Sequence, residues 1–383
     1  MKVELDTADR LNHVEEYYFS KKLREIEALK KQGIKVINAG IGSPDLIPHP
    51  SVIEALNKNS LLPEAHKYQS YKGIPALREA YCNWYKKHFN CSLDAETEIL
   101  PLMGSKEGIM HISLAFLNKG DEVLVPDPGY PTYASASKIA EANVIHYNLT
   151  QANNWLPDLD SLEKKDLSKV KIMWINYPHM PTGATASQDD LLAIAKFGKR
   201  NNILICNDNP YGFILNNEQL SILSLKEQIP NILELNSLSK SHNMAGWRVG
   251  MVAARKEIIE AILKVKSNMD SGMFFAVQKA AVKALSLNQE WYNQQNKTYL
   301  KRRELVWEIF DHLKAKYDRN SKGMFVWGKI ASKNSIAYAD KLLTDHAVFI
   351  TPGDIFGENG KGYLRMSLCC NEVVLKEILN RLK

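Results

Sequence analysis

The sequence predicts an α/β protein: a large domain with a mostly parallel sheet flanked by helices, followed by a smaller α+β domain. Two observations carry this expectation. From about residue 95 short apolar runs alternate with helical patterns, the rhythm of a parallel sheet covered on both faces. After residue 278 the rhythm changes to one long charged helical pattern and three further short apolar runs. A length of 383 residues holds one large domain or two of ordinary size.

Taken in order, the expected strands are Glu98–Leu102, Glu122–Pro126, Val170–Asn176, Ile203–Asn207, Ile232–Ser237 and Gly250–Ala254. Helical patterns fill most of the gaps, among them Gln188–Lys199 and Lys256–Lys266. Sites in such sheets form at the carboxyl ends of the strands, where the loops leave. A long helix over Gln278–Lys316 then leads to Met324–Lys329, Ala347–Thr351 and Tyr363–Leu368. The expected division is 1–45 as an N-terminal arm and part of the small domain, 46–277 as the large domain, and 278–383 as an interdomain helix and small C-terminal domain.

Composition excludes several function classes. Apolar residues make up 45% and charged residues 24%, the balance of a globular rather than a disordered chain. Mean hydropathy is −0.29 and no apolar run approaches a bilayer span, so no membrane role is expected. The opening MKVELDTADRLNHVEEYYF is charged throughout and does not read as a secretory signal. The net charge of +6 is spread along the chain, with no basic stripe or binding motif for nucleic acid. Five cysteines, odd in number and without a Cys-x-x-Cys pair, read as free thiols in a reducing, cytoplasmic compartment, and no metal site is expected.

The chemistry concentrates in Ser237-Leu-Ser-Lys-Ser-His-Asn-Met-Ala-Gly-Trp-Arg-Val-Gly250, directly after an expected strand. Ser237, Ser239 and Arg248 are suited to a phosphate dianion, the arginine offering a planar fork. Lys240 offers an amine for a Schiff base, although alone it reads equally well as a solvated loop lysine. Gly104-Ser-Lys-Glu107 lies between a strand and a helix that begins near Glu107, and backbone N–H groups at a helix start favour an anion.

The Ser237–Gly250 segment resembles the lysine signature of the class I/II pyridoxal-phosphate aminotransferases of fold type I, Ser-x-Ser-Lys-x-x-x-x-x-Gly-x-Arg-x-Gly. The resemblance runs in order from residue 35 to about 370, and it implies pyridoxal 5'-phosphate as cofactor. It implies that Asp208 and Tyr211, in Asp208-Asn-Pro-Tyr211, contact the pyridine nitrogen and ring hydroxyl. Ser105 and Lys106 would offer backbone to the phosphate, Tyr130 would stack on the ring, and Asn176 would join the cofactor site. Tyr68, before Gly73, matches a tyrosine that reaches the neighbouring subunit's phosphate. Ser271 aligns with another residue donated across a homodimer. Arg365, in Gly362-Tyr-Leu-Arg-Met-Ser367 after Pro352-Gly-Asp-Ile-Phe-Gly357, would clamp the substrate α-carboxylate, with Gly42 lying against the substrate.

Asn176-Tyr-Pro-His-Met-Pro-Thr-Gly183 departs from the family pattern at one place: Met180 stands where a second asparagine is usual. Methionine sulfur is at best a weak acceptor and supplies no N–H donor. Within the family, Gly-Ser-Lys-Glu-Gly108, Val125-Pro-Asp-Pro-Gly-Tyr-Pro131 and Lys266-Ser-Asn-Met-Asp-Ser-Gly272 look most like LL-diaminopimelate aminotransferases, and Tyr17 matches a tyrosine of their substrate site. The implied activity is transfer of an amino group between an amino acid and a 2-oxo acid, LL-diaminopimelate and 2-oxoglutarate being one such pair. Related activities are aminotransfer from aspartate, methionine or aromatic amino acids, and carbon–sulfur β-elimination. A DNA-binding regulator built on such a body needs a preceding domain, and about 35 residues are too few for one.

Overall fold

The computed structural model describes residues 5–383; the first four residues of the expected arm lie outside the described residues. The strands run β1 (Ile37–Asn38), β2 (Ile99–Leu102), β3 (Glu122–Asp127), β4 (Asn143–Asn148), β5 (Val170–Ile175), β6 (Leu204–Asp208) and β7 (Ile232–Ser237). They continue with β8 (Gly250–Ala254), β9 (Lys316–Tyr317), β10 (Phe325–Lys329), β11 (Val348–Phe349), β12 (Thr351–Pro352) and β13 (Tyr363–Ser367).

Seven strands form the large sheet in the order β2-β8-β7-β6-β5-β3-β4. Only β8 runs against its neighbours; the other six are parallel. Every residue of β2, β6, β7 and β8 is buried, as expected of a sheet covered on both faces. Two apolar layers sandwich it, one including Trp84, Phe197 and Ile205, the other Ile112, Tyr133 and Trp174. The helix Gln188–Arg200 shows how local sequence fixes an end. Ser187 and Asp190 form a reciprocal capping box, and its buried stripe includes Leu191, Ile194 and Phe197.

A second sheet, β12-β13-β10-β9, is antiparallel and holds its own apolar core. The N-terminal segment reaches it through β1, which pairs in parallel with β11 (Ile37 opposite Val348).

Three expectations need correction. The long helix over Gln278–Lys316 is two helices, Phe275–Leu285 and Gln289–His312. Leu287 turns into the core and Asn288 is extended (φ −86°, ψ 178°), so the chain breaks there although no glycine or proline marks it. The apolar run Ala347–Thr351 is two short strands in different sheets. Strand β4 was not expected at all: it is an edge strand with a single fully buried residue, and its Asn-Val-Ile-His-Tyr-Asn sequence lacks a clear apolar run.

Candidate active site

Because six strands of the large sheet are parallel, their carboxyl ends share one edge. Gly104 follows β2, Tyr130 follows β3, Asn176 follows β5, Asp208 ends β6 and Ser237 ends β7. Reversal of β8 returns the chain to that edge, with Gly250 opposite both Ser237 and Leu102. Arg248, two residues earlier, therefore arrives beside Gly104. These ends open on a cavity of about 590 Å³.

Of the residues expected at the site, Tyr17, Gly42, Ser105, Lys106, Tyr130, Asn176, Asp208, Tyr211, Ser237, Ser239, Lys240, Arg248 and Arg365 all line this cavity. Tyr68 and Ser271 do not: Tyr68 is 92% exposed and Ser271 is exposed. Gly272 packs against the backbone of Gln69, so the segments carrying Tyr68 and Ser271 run side by side on the outer surface.

One end of the cavity is built for an anion. The helix Ser105–Phe116 starts two residues earlier than expected, and its N-cap, Gly104, offers no side-chain acceptor. Its first-turn N–H groups are left for a ligand. Gly104 has φ +91°, and a Cβ there would overlap Nη2 of Arg248, so only glycine leaves space for the guanidinium. The Ser237 hydroxyl donates to Ser239 Oγ at 2.8 Å and accepts from the Ser239 N–H at 3.1 Å. Two hydroxyls, a guanidinium and a helix start thus converge.

Asp208 supplies the opposite charge. Its Oδ2 accepts from the Tyr133 hydroxyl at 3.0 Å, while its buried Oδ1 has no partner. Burial pushes the carboxyl up to about 7; the Tyr133 bond opposes this and the buried Glu234 adds to it. Asn176 holds the same strand end, donating to the Asp208 carbonyl and accepting the Met180 N–H at 2.8 Å. Its amide is therefore committed to shaping the loop. His179 is buried beside Thr182 rather than facing the cavity.

Lys240 projects into the cavity and donates to the Gly42 carbonyl. Burial lowers its pKa, and the nearby Arg365 and Arg248 push in the same direction, making a free amine more accessible. Arg365 comes from β13, in register with Trp327 on one side and Thr351 on the other. Its Nη2 donates to the Gly40 carbonyl at 2.6 Å and its Nη1 to Met180 Sδ at 3.1 Å. The rings of Phe325 and Phe356 lie 4.0 and 4.7 Å from the guanidinium carbon, and burial brings its pKa down to about 10. It remains charged at neutral pH.

The residues fit pyridoxal phosphate on these grounds: an unpartnered carboxylate oxygen for a ring nitrogen, a glycine-lined anion cradle, and an amine lining the same cavity. Sequence reasoning missed Tyr133, whose ring stacks on Trp174 (4.9 Å, 4°) and whose hydroxyl orients Asp208. Its spacing of three from Tyr130 at a helix start is the one signal that pointed to it. The aromatic wall of Phe19, Phe325 and Phe356 was also unforeseen, because it draws on three separate segments.

Beneath the cradle, Glu107, His111 and Asp270 bring possible ligand atoms within 4.8 Å of one another. Lys266 already pairs with both Asp270 oxygens at 2.8 and 2.9 Å, so a cation is in place there.

Comparison with known proteins gives a consistent result. The family model for aminotransferase class I and II matches residues 34–382. An LL-diaminopimelate aminotransferase from Aquifex aeolicus is 38% identical over 379 residues, covering 98% of each chain. Among solved structures, substrate-bound BacF from Bacillus subtilis superposes with a TM-score of 0.94 at 33% identity, covering 99% of this chain and 97% of that one. An aspartate aminotransferase mutant from Thermus thermophilus gives a TM-score of 0.90 at 25% identity, with 99% of each chain covered.

Proposed function

The chain belongs to the class I and II aminotransferases, which depend on pyridoxal phosphate, and we propose that it moves an amino group between LL-diaminopimelate and 2-oxoglutarate. The observation that carries the reaction is the convergence of Lys240, Asp208 and Arg365 on one cavity. When bound, pyridoxal phosphate supplies an electron sink for the carbanion left by breaking a Cα–H bond.

In this reading Ser237, Ser239, Arg248 and the N–H groups of Ser105 and Lys106 hold the phosphate, while Tyr130 stacks on the ring. Asp208, ionised, holds a proton on the ring nitrogen, and Tyr211 donates to the ring oxygen. Arg365 takes the substrate α-carboxylate, with Gly42 against the substrate backbone, and so fixes which bond at Cα can break. The Lys240 amine would take the Cα proton as base and later give a proton back as acid. The Phe19, Phe325 and Phe356 rings exclude water around Arg365 and strengthen its hold.

A second cation favours a substrate with two acidic ends. The exposed Lys106 sits 4.5 Å from the centre of the Tyr17 ring, and among the described residues it has no ion-pair partner. Tyr17 also lies within the field of Arg365. Tyr17, Lys106 and Arg365 thus line one cavity, an arrangement suited to a diamino dicarboxylate. The aromatic wall favours a second reading, an apolar or aromatic amino donor.

Tyr68 and Ser271 lie outside the cavity of their own chain, and large apolar side chains such as Leu61 (83% exposed) remain uncovered. This supports a homodimer in which both residues serve the partner's site. A cytoplasmic location and the division at residues 45 and 277 belong to the same proposal.

The test is the absorbance of the loaded protein mixed in turn with LL-diaminopimelate, aspartate, methionine, an aromatic amino acid and glutamate. Rapid conversion to the pyridoxamine form by LL-diaminopimelate and glutamate alone supports the assignment. Conversion by another amino acid with LL-diaminopimelate inert replaces the substrate. Ammonia and keto acid released without an acceptor point to β-elimination.

A further inference from the structure

The loop Gly353–Gly360 carries Phe356, one of the rings against Arg365, and it is tied to the end of β3 in the other sheet. Asp127, the last residue of β3, is 5% exposed and spends both carboxylate oxygens on this loop. Oδ2 accepts from the Glu358 N–H at 3.1 Å and Oδ1 from the Asn359 N–H at 3.0 Å. The Asp127 carbonyl accepts from Asn359 Nδ2 at 3.1 Å, and the Gly129 N–H donates to the Phe356 carbonyl at 2.8 Å. Gly357 has φ +135°, and a Cβ there would overlap the Asp127 carboxylate. Four hydrogen bonds therefore join residues 127–129 to 356–359.

The residues flanking this junction are walls of the cavity. Tyr130 follows it on one side, and Phe356 opens it on the other, 4.7 Å from the Arg365 guanidinium carbon. We propose that Asp127 is a positioning residue, clasping the Gly353–Gly360 loop to the large sheet and so setting the gap between Tyr130 and Arg365 in which the substrate is held. A buried carboxylate is costly unless fully bonded, and this one is bonded to the backbone of that loop. Neither oxygen contacts the cavity, so the effect is on placement, not on proton transfer. The inference rests on the reading of Arg365 as the carboxylate anchor.

Asp127→Asn keeps the shape and one acceptor but turns an N–H toward a backbone N–H. With saturating pyridoxal phosphate, KM for the amino donor and the inhibition constant of maleate, a non-reacting dicarboxylate, are expected to rise together by about five- to tenfold. The kcat and the affinity for pyridoxal phosphate stay within about twofold. Gly357→Ala, which displaces the same carboxylate, gives the same pattern, and the double variant is no worse than Gly357→Ala alone. Arg365→Lys serves as the reference and raises both constants by itself. If D127N leaves both constants unchanged while R365K raises them, or if D127N and G357A multiply in the double variant, the clasp is overturned. If R365K also changes neither, the carboxylate reading falls and the clasp with it. Should D127N fail to fold, Asn359→Ala, which removes the side-chain ties to the Asp127 carbonyl and to Asn148, carries the same expectation at about two- to threefold.

Discussion

The Tyr133 hydroxyl lies 3.0 Å from Oδ2 of Asp208, and the other oxygen of that carboxylate is buried with no partner. The pair presents a single acceptor in a fixed direction. Without a ligand, the same burial that aims it makes its charge expensive.

This has a consequence for stability against pH. In the cofactor-free protein the Asp208 pKa stands at about 7, above its unfolded value near 4. A raised folded pKa means that the protonated group adds stability below about pH 4, and this is lost as pH rises through 7. The cofactor-free protein should therefore lose up to a few kcal/mol of stability between about pH 4 and 7. Asp208→Asn removes that loss and should unfold at a temperature a few degrees higher than wild type at pH 8, with little difference at pH 4. Calorimetry of the two cofactor-free proteins checks this.

Lys240→Ala should bind pyridoxal phosphate through the phosphate cradle and Asp208, yet lose turnover by at least about three orders of magnitude. Steady-state rates and cofactor retained after gel filtration test the two halves separately. Near-normal turnover would remove Lys240 from its assigned role.

At Gly104 a methyl group should displace the Arg248 guanidinium. Gly104→Ala is expected to weaken pyridoxal phosphate binding about tenfold or more while leaving pyridoxal, which lacks the phosphate, unaffected. Equilibrium titration with both ligands distinguishes loss of the cradle from general damage.

Met180 accepts a weak hydrogen bond from Arg365 and gives none to the cavity. Met180→Asn introduces an amide donor beside the guanidinium and should lower KM for the amino donor by about five- to tenfold, the scale of one hydrogen bond to a charged group. An unchanged or raised KM would show that Met180 is not a weak point of carboxylate binding.

If Tyr68 serves the partner's site, an inactive Tyr68 variant and Lys240→Ala should complement one another. Random reassortment places one intact site in half of the dimers, restoring up to about a quarter of wild-type activity. No recovery after subunit exchange confirmed by sedimentation or mass spectrometry would argue against shared sites.

Most of the cavity was legible in the sequence because its members sit in short motifs at strand ends. Asp208, Ser237 and Lys240 could each be placed from a strand boundary and a few neighbours. Tyr133 and the Phe356 wall were not, since what defines them is packing: a ring stacked on Trp174 and a loop carried over from another sheet. The same limit applied to the fold. The fully buried strand β8 announced itself as an apolar run, whereas β4, at the sheet edge, had no such signal. The break at Asn288 follows from Leu287 turning inward, which local propensity does not encode.

The single reversed strand makes cofactor capture a test of completed folding. Arg248 reaches Gly104 only when β8 has been inserted between β2 and β7, a junction linking parts of the chain almost 150 positions apart. No shorter stretch of polypeptide holds both halves of the phosphate cradle. If these residues hold the phosphate as proposed, cofactor loaded during refolding is expected to track the assembled sheet.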